Sequence, residues 1–264
     1  MPATDDRWER GDPYERYIGR WSRLVAPRFV SWLGMTGGLR WLDVGCGTGA
    51  LTATILGGAE PESVVGIDPS EGFLATAAQR LGDKAAFKRG SASELPLPSA
   101  SVDVTVSGLV LNFAPDANAA LAEMKRVTVH GGTIAAYVWD YAAGMQLIRH
   151  FWDAAVALDT EAAAFDEARR FALCQPDALA ALFSSAGLHR VEVGALTVNT
   201  RFDDFDDYWS PFLGGQGPAP AYAMALDEAR RTQLRERLRA TLSAASDGSI
   251  SLTAQAWAVK AVSP

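Results

Sequence analysis

Leu42-Asp43-Val44-Gly45-Cys46-Gly47-Thr48-Gly49-Ala50-Leu51 follows Trp41 and leads into an Ala/Leu/Thr run. The stretch reads as a strand, a glycine turn and the start of a helix. Glycine at three alternate positions removes three Cβ atoms, which frees φ and lets a ligand come close to the backbone. The helix that follows offers unpaired N–H groups at its start. Nucleotide-type ligands bind at such a place, outside the carboxyl ends of parallel strands.

The dinucleotide fingerprint is G-x-G-x-x-G, whereas the spacing here is G-x-G-x-G. Asp43 stands two residues before the first glycine. A carboxylate there is a poor neighbour for a pyrophosphate and a good one for an ammonium group. Val64-Val65-Gly66-Ile67-Asp68 reads as a second strand ending in an acid. An acid about 20 residues past the glycines suits a ribose diol. Ammonium plus ribose, without phosphate, describes S-adenosylmethionine (SAM).

Further stretches follow in order: Gly66-Ile67-Asp68-Pro69-Ser70, then Gly90 to Asp103 (GSASELPLPSASVD), then Val106 to Phe113 (VSGLVLNF). Together with the glycine turn they resemble the class I SAM-dependent methyltransferases, in particular the ubiquinone/menaquinone-biosynthesis type and its small-molecule relatives. The ordered similarity runs from about Trp41 to Trp139. The resemblance implies an α/β, Rossmann-like, seven-stranded, mostly parallel sheet with its last strand antiparallel, flanked by helices. It implies SAM as cofactor, S-adenosylhomocysteine as product and a small-molecule methyl acceptor. The cofactor residues it points to are Asp43, Gly45, Cys46, Gly47, Thr48, Asp68, Pro69, Ser91, Ala92 and Ser107. In the family a polar residue followed by Ala contacts the adenine, and Asp or Asn is usual where this chain has Ser91. Asn112 stands where relatives often have His, and a neutral amide cannot act as a base at physiological pH. His130 replaces the Pro that usually precedes the Gly131-Gly132 pair.

Composition sets the outer bounds. The 264 residues are 48% hydrophobic and 21% charged, an ordinary globular balance. A net charge of −7 argues against a protein that wraps nucleic-acid backbone. The two cysteines, Cys46 and Cys174, are too few for a disulfide framework and form no C-x-x-C pair. The first twenty residues are rich in Asp, Glu and Arg and hold no apolar signal core. No uncharged apolar run reaches the ~18 residues of a membrane span. Reduced thiols and a cytoplasmic location, with no membrane partner, are expected.

Outside the motifs, the spacing predicts an N-terminal helix from Pro13 to about Leu33, then strand-helix units through Trp139 with His130-Gly131-Gly132 as a turn. A very apolar helix over Met145–Leu158, a clean helix over Pro176–Ala186 and late strands over Arg190–Thr200 and Ser251–Val262 follow. The expected organisation is an N-terminal cap (1–34), a SAM-binding core (35–200), a helical insertion (201–248) and a final core strand (249–264). Asp203, Asp204, Asp206 and Asp207 read as acids at a helix N-terminus rather than a metal site. The glycines of Gly214-Gly215-Gln216-Gly217-Pro218 read as a bend.

The acceptor pocket needs walls that the motif loops do not supply. Unassigned aromatics occur at Tyr14, Tyr17 and Trp21, at Trp139 and Tyr141, and at Tyr208, Trp209 and Phe212. Tyr17, Trp21, Asn112, Trp139, Trp209 and Phe212 are therefore the candidate acceptor contacts, with the insertion as a lid that excludes water. The alternative for the insertion is a homodimer interface. Methyl transfer from a sulfonium needs positioning more than a base, and His130, His150 and His189 all lie outside the motifs, so no catalytic residue is assigned. Two other readings stay open: an NAD(P)-dependent oxidoreductase on a related fold, and a SAM-binding protein without turnover.

Overall fold

The computed structural model describes residues 15–215 and 217–264. The expectations for Tyr14, for a helix start at Pro13 and for Gln216 lie outside the described residues. Seven strands form one sheet: β1 (Arg40–Val44), β2 (Ser63–Asp68), β3 (Ala86–Arg89), β4 (Val102–Gly108), β5 (Thr128–Trp139), β6 (His189–Phe202) and β7 (Ile250–Val262), in the order β3-β2-β1-β4-β5-β7-β6. The pairs β1/β2, β1/β4, β2/β3 and β4/β5 are parallel. The last strands are antiparallel. The expected seven-stranded, Rossmann-like α/β sheet is the observed one.

The chain divides into two compact units. The sheet unit comprises Ser22–Val138, Leu173–Leu196 and Ala256–Pro264. The second, aromatic unit gathers the described residues up to Trp21 with Trp139–Ala172 and Thr197–Gln255. Each unit is thus drawn from several stretches rather than from consecutive blocks of chain.

In the sheet unit, β1 is buried from Trp41 onward, as a strand covered on both faces should be. Its start is fixed by Arg40, whose backbone N–H and guanidinium donate to Asp103 at 2.9, 2.9 and 2.7 Å. Helices α2 (Ala50–Gly58), α3 (Glu71–Leu81) and α4 (Ala117–Val127) follow strands β1, β2 and β4. Ser70 caps α3 by accepting from Phe73 N–H at 3.3 Å, and Asp116 caps α4 by accepting from Asn118 and Ala119 N–H.

One expectation fails here. His130-Gly131-Gly132 is not a turn between elements but part of β5, which already starts at Thr128. Val102 pairs with Thr128 and Val104 with Thr133, so β5 carries extra residues as a bulge. Gly131 takes φ +76°, and a Cβ on Gly132 would sit 2.7 Å from Asp103 O. Both positions therefore require glycine. Gly131 N–H donates to Ser263 O at 3.0 Å and Ser263 N–H to Gly132 O at 2.8 Å, which satisfies the backbone that the bulge frees.

The aromatic unit is built around α5 (Gln146–Leu158), preceded in the chain by α1 (Arg20–Leu33), whose first residues belong to this unit. Leu147, Ile148, Phe151, Trp152, Ala154 and Ala155 of α5 are buried, while Leu158 at its end is exposed. Tyr208 lies in the short helix Phe205–Trp209 and donates its hydroxyl to Leu147 O at 3.0 Å. The first described residues, Glu15–Gly19, form a π-helical turn that leads into α1. The bend at Gly215 and Gly217, with φ +68° and +87°, leads into the helix Pro218–Ala225.

Candidate functional site

β1 has β2 on one side and β4 on the other, and the strand order reverses between β1 and β4. A crevice at the carboxyl ends of two such strands is where open α/β sheets bind ligands. The glycine turn follows β1, and the 3₁₀ turn Leu111–Phe113 follows β4. Gly45, Gly47 and Gly49 take φ +73°, +52° and +82°. Two of them answer to packing. A Cβ on Gly45 would meet Val110 Cγ2 at 2.5 Å, and one on Gly49 would meet Ala77 Cβ of α3 at 3.2 Å. Gly47 has nothing within 4 Å of where its Cβ would be, so it faces open space. Gly45 and Cys46 N–H both donate to Ile67 O, at 2.7 and 3.0 Å, tying the turn to the end of β2. Gly49 is the N-cap of α2 and no side chain caps it. The N-terminus of α2 thus lacks the side-chain acceptor that most helices recruit.

Two carboxylates flank the turn. Asp68 accepts from Gly47 N–H through Oδ2 and from Ser70 N–H through Oδ1, each at 2.9 Å. Burial raises its pKa, and these two bonds pull the other way. Asp43 is fully buried at the end of β1. Its Oδ2 accepts from Thr52 Oγ1 at 2.7 Å, while Oδ1 has no hydrogen-bond partner. Burial pushes the Asp43 carboxyl up to about 7, with Asp68 adding to the rise and the Thr52 bonds opposing it. A buried acceptor left open in this way costs free energy until a donor arrives. Cys46 is buried beside both acids, and burial drives its thiol well above the usual range, so it is no nucleophile at neutral pH.

The remaining expected cofactor residues are placed unevenly. Thr48 is buried and its carbonyl accepts from Arg80 at 3.0 Å. Pro69 is exposed beside Asp68. Ser91 is exposed and shares a 3.0 Å hydrogen bond with Ser93, next to half-buried Ala92. Ser107 is fully buried in β4 and donates to Val44 O at 3.0 Å, so its hydroxyl is engaged inside the sheet. Asn112 carries a buried Nδ2 with no partner.

The other acceptor candidates, Tyr17, Trp21, Trp139, Trp209 and Phe212, all fall in the aromatic unit. Tyr17 stands edge-on to Phe212 at 5.5 Å, Phe212 stacks on Phe151 at 4.5 Å, and Trp209 lies 6.0 Å from Phe212. Trp21 stands edge-on to Phe202 at 5.2 Å, with the Arg20 guanidinium 4.2 Å from its ring. Tyr17 Oη, Trp21 Nε1 and Trp139 Nε1 are each buried without a hydrogen-bond partner.

The acids at 203–207 serve the fold. Asp204 caps its short helix by accepting from Asp207 N–H at 2.8 Å, Asp207 pairs with Arg20 at 2.8 Å, and Asp206 pairs with Arg235 at 2.9 Å. Among the described residues, no group of three or more His, Cys, Asp or Glu is placed to hold a metal ion, and no helix is long and apolar enough to cross a membrane.

Sequence reasoning missed Glu167. In Phe165-Asp166-Glu167-Ala168-Arg169-Arg170-Phe171 it reads as one charge among several. In the structure it is 1% exposed, and the Trp152 indole N–H donates to it. Burial lifts its carboxyl to about 8, opposed by its own backbone N–H, Trp152 and Arg170 and helped by Asp166.

Residues 42–136 match a family model described as a methyltransferase domain. A malonyl-[acyl-carrier protein] O-methyltransferase of Serratia marcescens is 38% identical over 97 residues, which are 37% of this chain and 37% of that protein. A demethylmenaquinone methyltransferase of Staphylococcus aureus is 36% identical over 110 residues, 40% of this chain and 46% of that protein. The chain spans less than half the length of these curated relatives. Among solved structures, a phosphoethanolamine N-methyltransferase 2 of Haemonchus contortus in complex with S-adenosyl-L-methionine superposes with a TM-score of 0.58 at 17% identity, over 96% of this chain and 56% of that one. That likeness concerns the fold.

Proposed function

Because residues 42–136 match a family model described as a methyltransferase domain, we propose that the protein transfers a methyl group from SAM to a small-molecule acceptor. The observation that carries the reading is Asp43 Oδ1, a buried acceptor without a partner on the strand that runs into the glycine turn, where Gly47 opens onto free space. An ammonium group supplies the missing donors, and Gly47 leaves room for the chain attached to it. Asp68 ends β2 on the same side and is the carboxylate for a ribose diol. The acid forms charge-assisted hydrogen bonds with hydroxyls, stronger than neutral ones.

Bound SAM supplies an electrophilic methyl on a sulfonium. The chain's own residues have three tasks. Asp43, Gly47 and Asp68 fix the cofactor. Asn112 Nδ2, an unpaired donor after β4, orients an acceptor oxygen. Within the aromatic unit, Tyr17, Trp21, Trp139, Trp209 and Phe212 supply buried aromatic side chains of the kind that line small-molecule sites. Orientation of this kind lowers the barrier by about 7–11 kcal/mol when the reacting atoms are held in line.

Isothermal titration of the full chain with SAM, S-adenosylhomocysteine and NADH tests the reading. Binding of the first two and not of NADH is expected. Binding of NADH alone would replace it with a hydride-transfer enzyme on a related fold.

A further inference from the structure

A threonine inside a helix commonly spends its hydroxyl on the carbonyl four residues back. Thr54 does so to Ala50 O at 3.0 Å, Thr76 to Gly72 O at 3.0 Å and Thr241 to Arg237 O at 3.1 Å. Thr52, in the first turn of α2, does not. The carbonyl four residues behind it belongs to Thr48 and accepts from the Arg80 guanidinium of α3 at 3.0 Å. The Thr52 hydroxyl leaves its own helix and donates to Asp43 Oδ2 on β1 at 2.7 Å. Both residues are fully buried. A hydroxyl has one proton to give, so Thr52 engages one carboxylate oxygen with it. The other, Oδ1, is the one left without a partner.

The rest of the surroundings leave the carboxyl to Thr52. Across the sheet Asp43 stands in register with Gly66 on β2 and Val106 on β4, which offer it no polar side chain. Asp68, at the end of β2, acts on it as a like charge. Cys46, in the turn, keeps its thiol proton and so adds no charge.

We propose that Thr52 is a positioning residue of the cofactor site: its hydroxyl fixes the Asp43 carboxylate by Oδ2 and thereby presents Oδ1 to the ammonium group of SAM. The identity of that ammonium rests on the methyl-transfer reading; the aim of its acceptor is what Thr52 adds. A carboxylate free to turn about its Cβ–Cγ bond offers either oxygen, whereas one held by a 2.7 Å bond offers a set one. The same bond favours the charged form, against the burial that raises the carboxyl to about 7. Without the hydroxyl, Asp43 would hold its proton to a higher pH and meet the ammonium less often as an anion.

Thr52→Val keeps the shape and removes the hydroxyl, and Thr52→Ser keeps the hydroxyl. Two probes separate aim from architecture. SAM carries the ammonium, whereas methylthioadenosine carries the adenosine and the sulfur without the amino-acid part. In calorimetric titrations of the full chain at pH 6.5, Thr52→Val should bind SAM about tenfold more weakly than the wild type, which is the worth of one charge-assisted hydrogen bond. It should bind methylthioadenosine equally well, and Thr52→Ser should match the wild type with both. Thermal unfolding without ligand adds a second readout. Thr52→Val should lose more stability at pH 8.5, where the ionised carboxyl misses its donor, than at pH 5, where Asp43 is protonated in both proteins. A purely structural threonine would show one deficit at both pH values. A wild-type SAM affinity in Thr52→Val, equal losses for SAM and methylthioadenosine, a deficit that does not change with pH, or a Thr52→Ser that behaves as Thr52→Val overturns the proposal. Failure of the wild type to bind SAM refutes the methyl-transfer reading and this proposal with it, whereas any of those outcomes in a wild type that binds SAM removes Thr52 alone.

Discussion

The sharpest consequence of the site concerns Asp43. Its carboxyl is raised from 3.8 to about 7 by burial, with Oδ1 unpaired. An acid with a raised pKa makes the folded state bind more protons than the unfolded one between those two values. Stability therefore falls as pH rises through that interval. At 1.36 kcal/mol per pKa unit the loss is about 4 kcal/mol between pH 4 and pH 8. Asp43→Asn removes the charge and keeps an oxygen for Thr52. Thermal unfolding should then show little change at pH 5 and a higher midpoint at pH 8, at roughly 2–4 °C per kcal/mol regained. Ligand binding should move the other way. At pH 6 Asp43 is mostly protonated, and capture of an ammonium ionises it. Titrations of SAM in buffers of different ionisation enthalpy should release close to one proton per SAM at pH 6 and take up protons at pH 8.5, where Asp43 is already ionised and the free α-amino group, with its usual pKa of about 7.7–8.0, has largely lost its own. In Asp43→Asn the release should vanish and affinity should drop by about 10–100-fold, the worth of a charged hydrogen bond. No proton release at pH 6, or a stability profile identical in wild type and Asp43→Asn, would refute the argument.

Gly47→Ala should leave a folded protein, because the space beside it is open, at a cost of about 1–2 kcal/mol for a Cβ at positive φ; calorimetry should find SAM binding lost, in Gly47→Val as well, and unchanged affinity would remove Gly47 from the site. Asp68→Ala strips the acceptor from Gly47 and Ser70 N–H, so the unfolding midpoint should fall by several degrees and SAM affinity by about 10–100-fold. A loss under threefold would mean that Asp68 only organises the turn. Tyr17→Phe deletes a buried hydroxyl without a partner and should raise stability by about 1 kcal/mol in urea unfolding while slowing methyl transfer. A destabilised Tyr17→Phe would show that the hydroxyl is already satisfied.

The glycine turn and its flanking strands were legible because local rules decide them. β2 ends at Asp68, Ser70 caps the next helix and Gly82 ends it, as the spacing indicates. The bulge in β5 was not legible. A Gly-Gly pair reads as a turn, and only the partners Asp103 and Ser263, distant in sequence, show that it is a strand pinned on both sides. The Asp-rich run at 203–207 was readable as a capped helix start, but its tie to Arg20 across the chain was not. Asn112, Tyr17, Trp21 and Trp139 stood out in the sequence as candidate acceptor contacts. That each leaves a polar atom buried and unpaired is a property of packing alone. Glu167 was hidden for the same reason: among Asp166, Arg169 and Arg170 nothing distinguishes it until burial does.

The division into units also orders events in time. The Arg40–Asp103 tie of the sheet unit closes a loop of 63 residues, whereas the Arg20–Asp207 tie of the aromatic unit closes one of 187. The longer closure costs only about 1 kcal/mol more entropy, but it cannot begin until the chain past Asp207 has emerged from the ribosome. Synthesis delivers Ser22–Val138 first, a run of neighbouring strands and helices able to condense while the rest is still being made. Tyr17 and Phe151 must meanwhile wait in water for Phe212. Nascent chains stalled between Val138 and Asp207 are thus the ones that need a chaperone, and pulse-labelled amides should gain protection along β1 and β4 well before they do along α5.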